Sequence, residues 1–125
     1  MLQTRTRREF MSETLGDRLK RMRSSRGLGL RETAIKVGMS ATYLSRVENN
    51  QETSPPSEEK IRNLADVLKG NFDELMQLAG RISFEVTELI KADSNMPAFL
   101  RRSREKNLTA EELMKLLEKQ DTEDK

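Results

Sequence analysis

The strongest constraint on this chain lies in LRETAIKVGMSATYLSRVENN, residues 30–50, where two short runs with helical spacing are joined around a single glycine. Ala34 and Val37 share one face of the first run, and Leu44 and Val47 share one face of the second. Gly38 supplies a positive φ without a Cβ penalty, and Ser40 is a good N-cap for the second run. If the two helices cross steeply on so short a turn, the small Ala34 is what lets the first of them come close to its neighbours. Ala41, Thr42, Ser45 and Arg46 are then left on the outer face of the second helix, near its N-terminal end. Such a pair is either ordinary bundle packing or a device that offers its second helix to a DNA groove.

The flanking sequence is helical in the same style. Leu15, Leu19 and Met22 predict a helix from about Thr14 to Arg26, closed by Gly27. The pair in question spans about Leu30–Val37 and Ser40–Asn49. Pro55 and Pro56 keep NNQETSPPS out of helix, and Ser57 then caps a fourth helix with Glu58 and Glu59 in its first turn. Its inner face is Ile61, Leu64, Ala65 and Leu68, and Gly70 is expected to stop it. A fifth helix starts near Asn71, with Phe72, Leu75, Met76 and Leu78 apolar. Further on, Ser83 opens a helix with Val86, Leu89 and Ile90, and Pro97 starts another with Phe99 and Leu100. Thr109 and Glu112 form a capping box for the last, with Leu108 placed to staple onto Leu113 and a stripe through Leu116 and Leu117. No repeat or strand pattern interrupts this order, so the expected fold is all-α, about five helices and then about three.

Composition excludes much of enzymology. The chain has no Cys and no His, which removes thiolate chemistry, the commonest general base and most metal sites. The carboxylates are scattered over charged helix faces, and there is no phosphate-binding glycine loop. No catalytic residue, metal or cofactor is therefore expected. No apolar run reaches the roughly 18 residues of a membrane span, and MLQTRTRREF lacks the apolar core of a secretory signal, which points to the cytoplasm. The net charge of +2 is uninformative, but its distribution is not. Residues 1–53 carry 11 Lys/Arg against 6 Asp/Glu, and residues 54–125 carry 12 against 15, so the first part is +5 and the second −3. A basic end of this kind suits a nucleic-acid-facing surface.

Leu30 through Val47 resembles the helix-turn-helix of the Xre/Cro/phage-repressor family, with Ala34, Gly38, Leu44 and Val47 where that pattern places them. The likeness extends to LGDRLKRMR before it, and to YLSRVENN and PPSEEKIRNLADVL after it, about 55 residues in all. There are departures. Thr33 stands where the family usually has Leu, Leu30 where a Gln often contacts phosphate, and Asn50 where Gly commonly succeeds "EN". The loop to Pro56 is a residue or two longer than usual.

The resemblance implies a sequence-specific transcriptional regulator, most simply a repressor, whose third helix lies in the major groove. On that reading Ala41, Thr42, Ser45 and Arg46 meet base edges, with Arg46 the best direct hydrogen-bonding contact. Leu30, through its backbone N–H, together with Arg31, Ser40, Tyr43, Asn49 and Asn50, would contact phosphates. Each of these has a plainer reading: Tyr43 packing on the loop, Arg31 a solvated charge, Asn50 supplying a left-handed turn. The matching Arg23 and Glu48 of the resembling repressors pair between the first and third helices, a structural role.

The chain accordingly divides into a basic arm at 1–12 (Met11 being an alternative start), a DNA-binding domain at 13–80, a helical module at 81–119 and a charged tail at 120–125. Three short helices bury too little apolar surface to stand alone. The module must therefore dock on the first domain, on another copy or on a different protein. The resemblance implies a homodimer on an inverted-repeat operator, the plainer reading being an extension of the monomer core. Arg101, Arg102, Arg104 and Lys106 read as a solvated helix end or as cations reaching flanking phosphate. The alternative function is an antitoxin-like or protease-controlled regulator, whose C-terminal helices bind a toxin or protease.

Overall fold

The computed structural model describes residues 13–123, so the expected basic arm and Met11 lie outside the described residues. These residues form eight helices and no strand, as the periodicity predicts. The chain divides into two compact units, Met1–Ser83 and Phe84–Lys125.

The first unit holds α1 (Leu15–Ser25), α2 (Leu30–Val37), α3 (Ala41–Glu48), α4 (Glu58–Leu68) and α5 (Phe72–Leu78). Their starts are set by short polar side chains. Thr14, Ser40, Ser57 and Asn71 each accept a hydrogen bond from a backbone N–H of the first turn. Leu19, Ala34, Val37, Leu44, Ile61, Leu64 and Leu75 are almost fully buried, so all five helices contribute to one core. Thr33, where an apolar residue is usual in the resembling family, is also fully buried at 0% exposure. Its hydroxyl donates to the Gly29 carbonyl at 2.8 Å, which removes the penalty of burying a polar group.

The end of α4 differs from expectation. Lys69, not Gly70, adopts the left-handed conformation, with φ 55°. A Cβ at Gly70 would fall 2.2 Å from the Met22 Cε, the flexible end of a side chain that can turn aside. The long loop after α3 is fastened by Arg81, whose guanidinium donates to the Pro56 carbonyl at 2.7 Å and the Pro55 carbonyl at 3.1 Å.

The second unit contains α6 (Phe84–Ala92), α7 (Met96–Glu105) and α8 (Ala110–Glu123). Pro97 lies in the first turn of α7 as expected, and α6 packs on α7. The Thr109 hydroxyl accepts from the Glu112 N–H at 3.1 Å and donates to its carboxylate at 3.2 Å, so the two side chains form a local cap. The residues expected as a charged tail from 120 are helical as far as Glu123, where α8 ends. Ser103 is the one buried residue of these helices among those described. Leu89, Phe99, Leu100, Met114, Leu116 and Leu117 are all exposed. Arg101, Arg102, Arg104 and Lys106 are exposed at the end of α7, where cations complement the helix dipole.

Candidate nucleic-acid interface

The turn between α2 and α3 is closed by its own backbone and then clamped from α4. Gly38 has φ 88°, and its N–H donates to the Ala34 carbonyl at 2.9 Å. The Met39 N–H reaches the same carbonyl at 3.0 Å, completing a Schellman-type end. Across the interface, the Asn63 amide donates to the Val37 carbonyl at 3.1 Å and the Lys60 ammonium to the Gly38 carbonyl. The last carbonyls of α2 are thus capped by α4 side chains, which the sequence pattern did not single out.

Three further contacts fix the attitude of α3. Leu44 and Val47 are buried as predicted. At its far end Glu48, with a side chain only 4% exposed, receives two hydrogen bonds from Arg23, at 2.7 and 2.9 Å. Arg23 also donates to the Leu28 carbonyl at 2.9 Å, and the hydrogen bond to Glu48 raises its pKa further above the ordinary guanidinium value. The expected structural pairing of Arg23 with Glu48 is therefore present. Third, α1 approaches the end of α3 at Gly16: a Cβ there would lie 2.4 Å from the Val47 carbonyl oxygen and 2.8 Å from that of Glu48. Only glycine permits that approach. The start of α1 is itself pinned by Glu13, which pairs with Arg18 and Arg21. The Arg21 hydrogen bond, and next to it that of Arg18, holds the Glu13 carboxyl below the usual carboxylate range against the opposing effect of burial.

Ala41, Thr42, Ser45 and Arg46 come together as the sequence spacing requires. With Leu30 and Arg31 they line one open groove of about 310 Å³ between the start of α2 and the outer face of α3. Thr42 and Arg46 are exposed, while Ala41 and Ser45 are half-buried. Gly29 caps α2 without a side-chain hydrogen bond, so no side chain covers the first-turn N–H groups at Leu30. Arg31 is exposed beside them.

The remaining residues divide. Ser40 uses its hydroxyl to accept from the Tyr43 N–H at 3.0 Å, and Tyr43 packs partly buried against the core. Asn49 is exposed but folds its amide back to the Ser45 carbonyl at 2.9 Å. Asn50 takes the left-handed conformation, φ 57°, which the family's glycine would supply, and turns its amide to Asp17 at 3.5 Å. One partner escaped the sequence reading altogether. Arg46 forms an ion pair with Glu52, Nε to Oε1 at 3.0 Å. An Arg and a Glu six positions apart carry no signal on a helix, and only the chain reversal at Asn50 brings them together.

A family model covers this same region: the one described as a helix-turn-helix domain matches residues 14–81. The HTH-type transcriptional repressor RghR of Bacillus subtilis is 36% identical over 70 residues, which cover 56% of this chain and 51% of the relative. The HTH-type transcriptional regulator SinR of Bacillus subtilis is 38% identical over 55 residues, covering 42% of this chain and 50% of the relative. The chain spans about half the length of these curated relatives. Among solved structures, the crystal structure of SinR, the master regulator for biofilm formation, in complex with DNA matches with a TM-score of 0.47. It is 33% identical and covers 50% of this chain and 98% of that one.

Proposed function

The chain belongs to the helix-turn-helix domain family, and from that premise we propose that it is a sequence-specific DNA-binding transcriptional regulator, a repressor that occupies an inverted-repeat operator as a homodimer. The carrying observation is the groove of Leu30, Arg31, Ala41, Thr42, Ser45 and Arg46 on a helix whose attitude is fixed from three sides. Likeness to RghR and SinR, named as a transcriptional repressor and a transcriptional regulator, supports the same reading. No helix of the described residues is long and apolar enough to cross a membrane, and the proposed place of action is the cytoplasm.

On this reading α3 enters the major groove, and Ala41, Thr42, Ser45 and Arg46 meet base edges there. Arg46 can donate to guanine, Thr42 offers a hydroxyl and a methyl, and Ala41 offers an apolar contact to a thymine methyl. Arg31 and the open N–H groups at Leu30 take phosphate, with Ser40, Tyr43 and Asn49 around them. Asn50, turned towards Asp17, acts first through its backbone. Residues 13–80 are the DNA-binding part, and the helices from residue 81 onward serve association. A two-fold arrangement would set two α3 helices about 34 Å apart. The chemistry proposed is binding, with no enzymatic step and no cofactor.

Selection from a randomised duplex library, with gel shift at stated salt on the enriched duplex, tests this directly. The wild-type chain is expected to enrich a two-fold symmetric sequence. Arg46→Ala should cost about 1–3 kcal/mol on that duplex, and a chain that enriches no sequence sinks the reading. A second reading rests on the apolar residues exposed on α6–α8: a different protein, a toxin or a protease, covers them. A solution mass measurement separates the two. A dimer at micromolar concentration favours the first, and a monomer favours the second.

A further inference from the structure

Arg46 is not a free cation on the outer face of α3. Its side chain is 54% exposed, whereas that of Glu52, its partner, is only 22% exposed. The carboxylate is the fixed member of the pair. Its position is set by the end of α3: Asn50 is left-handed, the Gln51 N–H donates to the Arg46 carbonyl at 2.8 Å, and the chain doubles back alongside Arg46. From there the loop runs to Pro55 and Pro56, whose carbonyls Arg81 holds. A surface built only to attract phosphate would not carry a carboxylate beside an exposed arginine of its groove.

We propose that Glu52 is a specificity-determining positioning residue: by engaging Arg46 at Nε it orients the guanidinium over the groove lined by Ala41, Thr42 and Ser45 and offsets its charge. This rests on the DNA-binding reading above. A guanidinium paired at Nε can still present its terminal nitrogens to a pair of acceptors such as those of guanine. Pinning the long side chain also removes rotamers in which it would reach a phosphate. The offset charge weakens the sequence-independent attraction that every duplex exerts. Specificity is a difference of affinities, so lowering the general term raises discrimination as surely as improving the specific one.

The test uses the full chain, with Glu52→Gln, Arg46→Ala and the double variant. The probes are the duplex enriched by the wild-type chain and one of scrambled sequence. Glu52→Gln is expected to bind the scrambled duplex more tightly, with a log–log salt slope steeper by about 0.9. The ratio of selected to scrambled affinity should fall by about tenfold. In the Arg46→Ala background, Glu52→Gln should leave that ratio unchanged. Thermal melting monitored by circular dichroism should coincide for wild type and Glu52→Gln. An unchanged ratio in Glu52→Gln overturns the proposal. So does a fall of equal size with and without Arg46, which marks a general field effect, or a fall that comes with a lower melting temperature, which marks a structural role. A wild-type chain that enriches no sequence is seen before any variant is made and identifies failure of the DNA-binding reading itself.

Discussion

The two units of this chain are both helical, both capped by short polar side chains and both punctuated by Gly, Asn or Pro, yet they differ in what holds them together. Every buried apolar side chain among the described residues lies between Leu15 and Met76. From Phe84 onward the apolar residues sit at the same helical spacing, but none of those described is buried: most are exposed, and Ile90, Met96 and Leu113 are half-buried. Local capping and periodicity therefore specify helices in both units, while tertiary burial, the larger source of helical stability, is found in the first. A helix pattern alone does not tell whether its apolar stripe meets its own chain or something else.

The contrast can be broken most forcefully in the core. Leu64→Ala, at a site with 0% exposure, is expected to lower the unfolding free energy by about 2–5 kcal/mol in urea titration. Leu117→Ala, where the side chain is 65% exposed, should leave the same transition in place and shift the sedimentation-derived mass instead. If Leu117→Ala destabilises the main transition as much as Leu64→Ala does, the contrast between the units is wrong.

Next in size is the link between α1 and α3. Glu48→Ala strands the Arg23 guanidinium and should cost about 3 kcal/mol. Replacing both partners, Arg23→Met with Glu48→Leu, should recover most of that loss, because the unpaired charge goes with it. Gly16→Ala comes after it at about 1–3 kcal/mol, since the new methyl meets the carbonyls of Val47 and Glu48 rather than a flexible side-chain end. DNA affinity should fall with it, because α3 can be accommodated only by shifting.

The smallest effect is one of pH. The Glu13 carboxyl is held below its ordinary range by Arg21 and Arg18, so its contribution is fully present above the unfolded carboxylate value. It is lost as pH falls through the lowered folded value. Glu13→Gln should remove that part of the acid dependence of the melting temperature while leaving the neutral-pH transition cooperative.

Much of the first unit was legible because its signals are local. Ser40, Ser57, Gly38 and the apolar spacing each act within a turn of helix, and the observed α2 bounds, Leu30–Val37, agree with the sequence reading. The misses come from side-chain hydrogen bonds and chain reversals that apolar spacing does not encode. Gly70 looked like the residue that makes the turn, but Lys69 takes the left-handed conformation one position earlier. Thr33 looked like a flaw in the core until its hydroxyl found the Gly29 carbonyl. The groove residues were legible as an outward-facing set, but Glu52 was not, because its partner lies across a reversal of the chain.

The clamp of Lys60 and Asn63 on the carbonyls of Gly38 and Val37 has a consequence for how this protein could change its target. The tilt of α3 is inherited from α4 and α1 through inward contacts, to which the exposed side chains of Thr42 and Arg46 do not belong. Rewriting those positions is therefore a change of lettering on a fixed type-bar. On the DNA-binding reading proposed above, new operators become reachable by exchanging the exposed Thr42 and Arg46, with no re-engineering of the scaffold that holds them.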